Sequence, residues 1–176
     1  MRLTKILLGA ICLCYLFSGV VEAVAPMPTE FRMSKSTLKL GDTLENVFKA
    51  LGRPIVVTAN GQNNCWRDRI DLYSPEIIVK APPGSKKSGV FGIIIDRQQG
   101  ITTPEGIGIG STKEAVIEQY GKTHEYIDHN RDTVMCYGGG TAKKKGKITP
   151  KPFFRLRIDA KTQKVTYMII EQPQSL

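Results

Sequence analysis

Two stretches of the chain share one pattern of apolar and polar positions at an offset of 69 residues. The first, LKLGDTLENVFKALG, covers residues 38–52, and the second, GIGIGSTKEAVIEQYG, covers residues 106–121. The apolar positions of each follow the i, i+3, i+4, i+7 spacing of an amphipathic helix. They are Leu44, Val47, Phe48 and Leu51 in the first stretch, and Val116, Ile117 and Tyr120 in the second. The pattern predicts one short helix in each stretch.

Both predicted helices have end signals. Good N-cap residues are followed three residues later by an acid, as in a capping box. These pairs are Asp42 with Glu45 and Ser111 with Glu114. Gly52 and Gly121 close the two stretches, and a glycine there ends a helix in a left-handed conformation.

The glycines at 106, 108 and 110 raise the alternative of a phosphate-binding loop. Their spacing fits neither G-x-x-x-x-G-K-[ST] nor G-x-G-x-x-G, and Thr112 and Lys113 stand in the wrong order. Helix capping explains both stretches, whereas phosphate binding would explain only one. The sequence therefore favours capping, with an anion at the helix N-terminus as the alternative.

Extended segments follow each helix. Strand-forming residues are frequent in three segments of the first half, 70–73, 76–81 and 90–96. In the second half, apolar and charged residues alternate over 154–158, and a second strand at 165–171 is predicted to run back beside it. The hairpins GIIIDRQQGI and LRIDAKTQKV correspond to one another in the two halves. We therefore predict an α+β fold of two tandem repeats, each a short helix followed by an antiparallel β-meander.

The start of the chain is typical of a secretory signal peptide. Arg2 and Lys5 precede an apolar run over 6–21, and Val21-Glu22-Ala23 has suitable residues at −3 and −1. An uncleaved membrane anchor is the alternative, although 16 apolar residues are few for a span. We predict a secreted or periplasmic protein. Its predicted parts are a signal peptide at 1–23, a linker at 24–35, and repeats at 36–103 and 104–176.

These tandem copies resemble the family of the secreted beta-lactamase inhibitor protein. The resemblance is carried by G-x-[ST]-x-x-x-[VI] with a closing L-G or Y-G, at residues 41–52 and 110–121. The helix motif is also similar to that of the small outer-membrane assembly lipoproteins. The resemblance implies two helix-on-sheet repeats and an inhibitor-like, protein-binding function. The chain departs from the inhibitor pattern because each repeat has one cysteine rather than its own disulfide.

Signal cleavage would leave two cysteines, Cys65 and Cys136, in similar contexts. Because an exported protein folds in an oxidising compartment, the even number of cysteines predicts a disulfide between the repeats. The alternative is two buried thiols on separate cores, too far apart to bond.

The chain is basic, and cleavage would lower its formal charge from +9 to +8. Lysines concentrate in two segments that we predict to be loops, and these are candidate partner-binding residues or simply solvated loop tips. They are Lys86, Lys87, Lys143, Lys144, Lys145 and Lys147. Trp66 is a further candidate contact residue, with burial against Cys65 as the alternative.

No sequence signature of an enzyme is present. Serines lack the G-x-S-x-G setting, and His124 and His129 fit no clear metal-ligand pattern. We therefore predict a non-catalytic module without cofactor or metal, which binds a protein partner in the cell envelope or outside the cell. The alternative is an electrostatic adaptor for an anionic envelope polymer or membrane surface. No nucleic-acid motif is found, so nucleic acid is not an expected partner.

Overall fold

The computed structural model describes residues 25–54, 56–57, 63–67, 76–83, 89–144 and 147–173. Two helices lie within them, α1 Leu44–Leu51 and α2 Lys113–Tyr120. The strands are β1 Glu30–Arg32, β2 Thr37–Lys39, β3 Val56–Val57, β4 Asn63–Arg67, β5 Glu76–Lys80, β6 Gly92–Asp96, β7 His124–Ile127, β8 Thr133–Gly138, β9 Thr141–Lys144, β10 Lys147–Pro150, β11 Phe153–Ile158 and β12 Val165–Glu171.

Within this part of the chain, eight strands form one continuous antiparallel sheet in the order β3-β4-β5-β6-β12-β11-β8-β7. Strands β6 and β12 join its two halves, with Tyr167 opposite Asp96 at one end and Glu171 opposite Gly92 at the other. Strands β1 and β2 form a separate ribbon, and β9 and β10 form another. The strands predicted at 76–81, 90–96, 154–158 and 165–171 are confirmed, whereas 70–73 lies outside the described residues.

The predicted fold class, α+β with two tandem helix-plus-meander repeats, is wrong. The described residues are mostly β, and two eight-residue helices accompany a single sheet. The error has a physical source in strand pairing. The hairpin predicted over residues 92–101 does not form, and Thr102, just after it, makes isolated bridges to Arg32 and Gly108. Strand β6 instead pairs with β12, so strand hydrogen bonds run without a break across the middle of the sheet.

Each helix begins one residue later than predicted, because the N-caps are Thr43 and Thr112 rather than Asp42 and Ser111. The Thr112 hydroxyl accepts a hydrogen bond from the backbone N–H of Ala115 at 3.2 Å. Thr43 makes the equivalent bond at 3.3 Å. The glutamates predicted to complete capping boxes therefore stand at the second helical position, where their charge favours the positive end of the helix dipole.

The predicted helix ends are confirmed. Gly52 and Gly121 follow α1 and α2 with positive φ values of 79° and 74°. Their ψ values of −163° and −179° are extended rather than helical, so the chain leaves each helix at once. Each glycine N–H donates to the carbonyl four residues earlier, which closes the last turn.

The hydrophobic core lies on one face of the sheet, where the two helices cover it. Leu44, Val47, Val116 and Tyr120 are buried from the helix side. Alternate residues of the central strands meet them and are fully buried, namely Val79, Ile93, Ile95, Phe154, Leu156, Met168 and Ile170. The segment 24–35, predicted to be a linker, contributes β1, and its Phe31 is also fully buried, so this part belongs to the fold.

Three aromatic rings fill the core between α2, β8 and β11. The centroids of Tyr120 and Phe154 are 5.4 Å apart, and those of Tyr137 and Phe154 are 6.1 Å apart. The Tyr120 hydroxyl lies 2.6 Å from both the Thr103 hydroxyl and a Glu105 carboxylate oxygen. These bonds tie α2 to the segment that precedes it.

We expect the free energy of unfolding to fall above about pH 10, because burial raises the pKa of Tyr137 to about 12 and also raises the pKa of Tyr120. Above the tyrosine pKa of the unfolded chain, the unfolded state ionises first and binds fewer protons than the folded state. Stability present below that pH is therefore lost as pH rises. Urea unfolding from pH 8 to 12 measures this.

The matched variant for this test is Tyr137→Phe. It removes the hydrogen bond from the Tyr137 hydroxyl to the Gly121 carbonyl, so we expect lower stability at pH 8. Its decline above pH 10 should be shallower than that of the wild type, because one ionising phenol is gone. Parallel pH profiles for the two proteins would contradict this account of Tyr137.

The predicted disulfide between Cys65 and Cys136 is wrong. Cys65 lies in β4 and Cys136 in β8, and four strands separate them in the sheet. Five steps of about 4.8 Å give a separation of roughly 24 Å, whereas a disulfide needs Cα atoms within about 7 Å. Cys136 is a free, half-buried thiol.

The predicted signal peptide at 1–23 lies outside the described residues. Among the helices that the structure does describe, none has both the length and the apolar character needed to cross a membrane.

Candidate functional site

The sheet has a second face, which points away from the core, and the middle row of this face contains three isoleucines. Residues directly opposite each other in a ladder share a face. By this register Ile78, Ile94, Ile169, Arg155 and Cys136 lie in one row across five strands. Ile94 is 8% exposed and Ile169 5% exposed. A solvated face of an antiparallel sheet is normally polar, so these buried isoleucines distinguish the second face from an ordinary wet surface.

The next row of the second face carries aromatic and basic side chains. It contains Tyr167, Arg157, Val134 and Tyr126, on β12, β11, β8 and β7. Together with Arg155 these residues line a cleft of about 430 Å³. We call it the Arg–Tyr cleft and define it by Tyr126, Arg155, Arg157 and Tyr167.

Aromatic rings hold both arginines of the cleft. The Cζ of Arg155 lies 5.1 Å from the ring centroid of Phe153, and the Cζ of Arg157 lies 4.9 Å from that of Tyr167. A cation over an aromatic face is attracted by the ring quadrupole, so each guanidinium is positioned without a carboxylate. Among the described residues, neither guanidinium has a carboxylate oxygen within 4.0 Å.

One donor atom of the cleft has no acceptor. The Nε of Arg155 is buried and has no hydrogen-bond partner in the part of the chain that the structure describes. A buried donor without an acceptor is uncommon in native proteins and calls for an explanation. Here the unpaired N–H belongs to a cation beside a cleft, where an external acceptor could reach the guanidinium group.

The acids nearest to the cleft are already engaged. Asp96 pairs with Arg97 at 3.3 Å, and Glu171 pairs with Lys80 at 2.8 Å. Asp128, which lines the cleft, accepts two backbone N–H groups of the β7–β8 turn at 2.8 and 3.0 Å. The positive charge of the two cleft arginines is therefore not neutralised by a direct partner from these acids.

Tyr167 shares the electrostatic environment of the arginines. Burial raises the pKa of its phenol, while Arg157 and Arg155 act in the opposite direction and lower it. The phenol is therefore neutral at physiological pH, and its ring can carry Arg157 without adding negative charge. The chemistry of the cleft is that of a cationic, aromatic binding surface.

Most lysines predicted to bind a partner lie elsewhere or outside the described residues. Lys143, Lys144 and Lys147 were predicted to lie in a loop but belong to the strands of the β9–β10 ribbon, where Lys144 stands directly opposite Lys147. Lys86, Lys87 and Lys145 are not in the described part of the chain. Lys143 does not line the cleft, and the structure does not describe the side chains of Lys144 and Lys147.

Trp66 lies in β4 opposite Ile77, and the structure does not describe its side chain. His129 lines the Arg–Tyr cleft, whereas His124 lies in β7. Across the described residues, no group of three His, Cys, Asp or Glu side chains is placed to hold a metal ion.

The edge of the sheet beside the cleft is exposed. All four residues of β7 are exposed, including Tyr126 at 42% and Ile127 at 64%. In the sheet formed by the described residues β7 is an edge strand, so its outer side presents backbone donors and acceptors. Exposed apolar side chains on such an edge are typical of a surface that another chain can cover.

Comparison with known proteins identifies no family. No protein-family model matches the chain, and no curated protein matches it. One solved structure shows a likeness, an extracellular protein containing an SCP domain from Bacillus anthracis str. Ames, with 14% identity and a TM-score of 0.47. The match covers 76% of this chain and 44% of that chain, so this chain spans less than half of its length. Similarity at this level establishes neither a shared fold nor a shared function.

Proposed function

We propose that this protein is an exported, non-catalytic module that binds another protein through the second face of its sheet and the adjoining loops. The Arg–Tyr cleft is the observation that carries this proposal. Arginine and tyrosine are enriched at the centres of protein interfaces, because they combine large contact area with directional polar groups. Export rests on the predicted signal peptide at 1–23.

The surroundings of the cleft support a protein partner. The exposed edge of β7 lies at one side of the cleft. An extended segment that pairs with an exposed edge gains main-chain hydrogen bonds, and neighbouring side chains then add specificity. The inhibitor-like version of this function follows from the family resemblance and stays a prediction.

A second candidate function is an electrostatic adaptor for an anionic polymer or membrane surface. The observation that favours it is the β9–β10 ribbon, where Lys144 and Lys147 face each other across the strands. Like charges directly opposite are destabilising, and an anionic surface would relieve their repulsion.

The proposed function is tested by capture from an envelope extract of the source organism, with residues 24–176 as bait and stepwise elution with salt. We expect one protein in stoichiometric amount that survives 1 M salt, where the screening length is about 3 Å. The Tyr126→Glu bait should lose this protein, because the new charge lies on the second face.

The matched control is Ile148→Glu, which places the same charge at an exposed apolar residue of the β9–β10 ribbon. This bait should retain the partner. A broad anionic fraction that leaves every bait at moderate salt would instead support the electrostatic adaptor. Equal loss of a specific partner from both variants would contradict binding through the second face.

A further inference from the structure

We propose that the Arg–Tyr cleft is a carboxylate-binding site, which takes an acidic side chain from an exposed peptide segment of the partner. This inference rests on the proposed function and specifies the chemistry of the partner at that site. It assigns the charge complementarity of the interface to Arg155 and Arg157 rather than to the lysine-rich segments.

The first argument is charge. Arg155 and Arg157 are two residues apart on β11, and both lie on the second face. Alternate residues of a strand are about 7 Å apart, so the two cations repel each other across a half-buried surface. In the described structure no acid pairs with either of them. Asp96 and Glu171 pair with Arg97 and Lys80, and the Asp128 carboxylate, which lines the same cleft, accepts backbone N–H groups rather than an arginine. An anion from outside would supply the missing countercharge.

The second argument is geometry. The Cζ atoms of Arg155 and Arg157 lie 5.1 and 4.9 Å from the ring centroids of Phe153 and Tyr167. A guanidinium carries N–H groups in a planar arrangement that matches the two oxygens of a carboxylate, and a cation–π contact leaves its charge without an anionic partner. The buried Nε–H of Arg155 already lacks an acceptor within the described residues. Because this atom is itself buried, a carboxylate from the partner would bind the outer N–H groups of the same guanidinium.

The third argument favours a peptide carboxylate over a phosphate. The cleft also contains Tyr126, Val134 and the carboxylate of Asp128. Asp128 repels a doubly charged phosphate more strongly than a singly charged carboxylate. The aromatic and apolar residues give the neighbouring parts of a peptide something to pack against, which a free phosphate does not use. The edge of β7 adds backbone groups for a peptide chain.

The test follows the Arg155 Nε–Hε signal by NMR in the chain of residues 24–176, during titration with a hexaglutamate peptide at constant ionic strength. Arg155→Gln identifies the signal by removing it. We expect a saturable downfield shift with hexaglutamate, no shift with hexaglutamine, and a weaker shift with inorganic phosphate. Because the readout is local, binding of the peptide to the lysine-rich ribbon does not produce it.

Substitution of the second arginine adds an affinity measurement at the same atom. Arg157→Gln should weaken hexaglutamate binding roughly tenfold or more, as expected when a charge-assisted contact is lost. Arg157→Lys keeps the positive charge but loses the planar arrangement of N–H donors, so this variant should also bind hexaglutamate more weakly than the wild type. Arg53→Gln removes the same charge from an exposed residue after α1 and should change affinity less than twofold. Circular dichroism confirms that each variant is folded.

Two results would overturn the carboxylate assignment. One is an Arg155 signal that does not move while the peptide binds, and the other is a phosphate shift as large as that of hexaglutamate. The proposed function is tested separately, by the capture experiment described above. A partner retained equally by an Arg155→Gln/Arg157→Gln bait would refute the carboxylate site and leave protein binding intact. No captured protein, with a saturable Arg155 shift, would refute the proposed function alone.

Discussion

Phe154→Ala is expected to lower the free energy of unfolding by about 3–5 kcal/mol. Phe154 is fully buried in β11, and its ring contacts those of Tyr120 and Tyr137. Truncation removes the transfer free energy of the ring and leaves a cavity between α2 and the sheet that the surrounding strands cannot close. Because small domains have only about 5–15 kcal/mol of stability in total, the variant should be close to unfolding.

The adjacent residue supplies the control. Phe153 lies on the second face, is half-buried, and its ring contacts the guanidinium of Arg155. Phe153→Ala should cost about 1–2 kcal/mol, since it loses partial burial and a cation–π contact but opens no cavity in the core. Urea unfolding followed by circular dichroism measures both variants. Equal losses would show that the alternation of core and second face along β11 is incorrect.

The helices could be predicted from the sequence because their signals are local. A stripe of apolar residues, a hydroxyl cap and a closing glycine all lie within fifteen residues of one another. The one-residue error in the caps arose because Asp42 precedes Thr43 and Ser111 precedes Thr112, and each of these four residues can cap a helix. Only the course of the backbone decides which side-chain oxygen reaches the N–H groups.

The sheet could not be predicted in the same way, because its pairing is long-range. The similarity between residues 92–101 and 156–165 suggested equivalent hairpins, yet only β11 and β12 form one. Strand β6 pairs with β12, more than seventy residues further along the chain. Apolar patterning shows that Ile93 and Ile95 are buried, but it carries no information about which strand they meet.

Part of the candidate site could be predicted from the sequence. The alternation in 154–158 placed Arg155 and Arg157 on a face opposite Phe154 and Leu156, which the structure confirms. The contact between Arg157 and the Tyr167 ring could not be predicted, because the register of two neighbouring strands brings these residues together. The lysines are conspicuous in the sequence because they are dense along the chain. Density does not reveal burial or pairing, and these two properties distinguish the arginines.

Gly108→Ala is expected to lower the free energy of unfolding by about 2–3 kcal/mol, because it adds a methyl group at a site that is already closely packed. A Cβ at Gly108 would lie 2.6 Å from the backbone oxygen of Ile101 and 3.0 Å from the Thr102 side chain. Backbone cannot rotate away as a side chain can, so the bridge between Gly108 and Thr102 must open. The same thermal or urea unfolding measurement detects the loss.

Gly89→Ala is the matched control for Gly108→Ala. Gly89 also forms an isolated bridge, to Thr43, but a Cβ there would meet its nearest atom at an ordinary 3.4 Å. We expect a change of less than about 0.5 kcal/mol in this variant, as for most substitutions that avoid strain. A large loss at Gly108 alone would show that this glycine serves close backbone packing. Equal stability of both variants would remove that explanation and reopen anion binding as the reason for a glycine there.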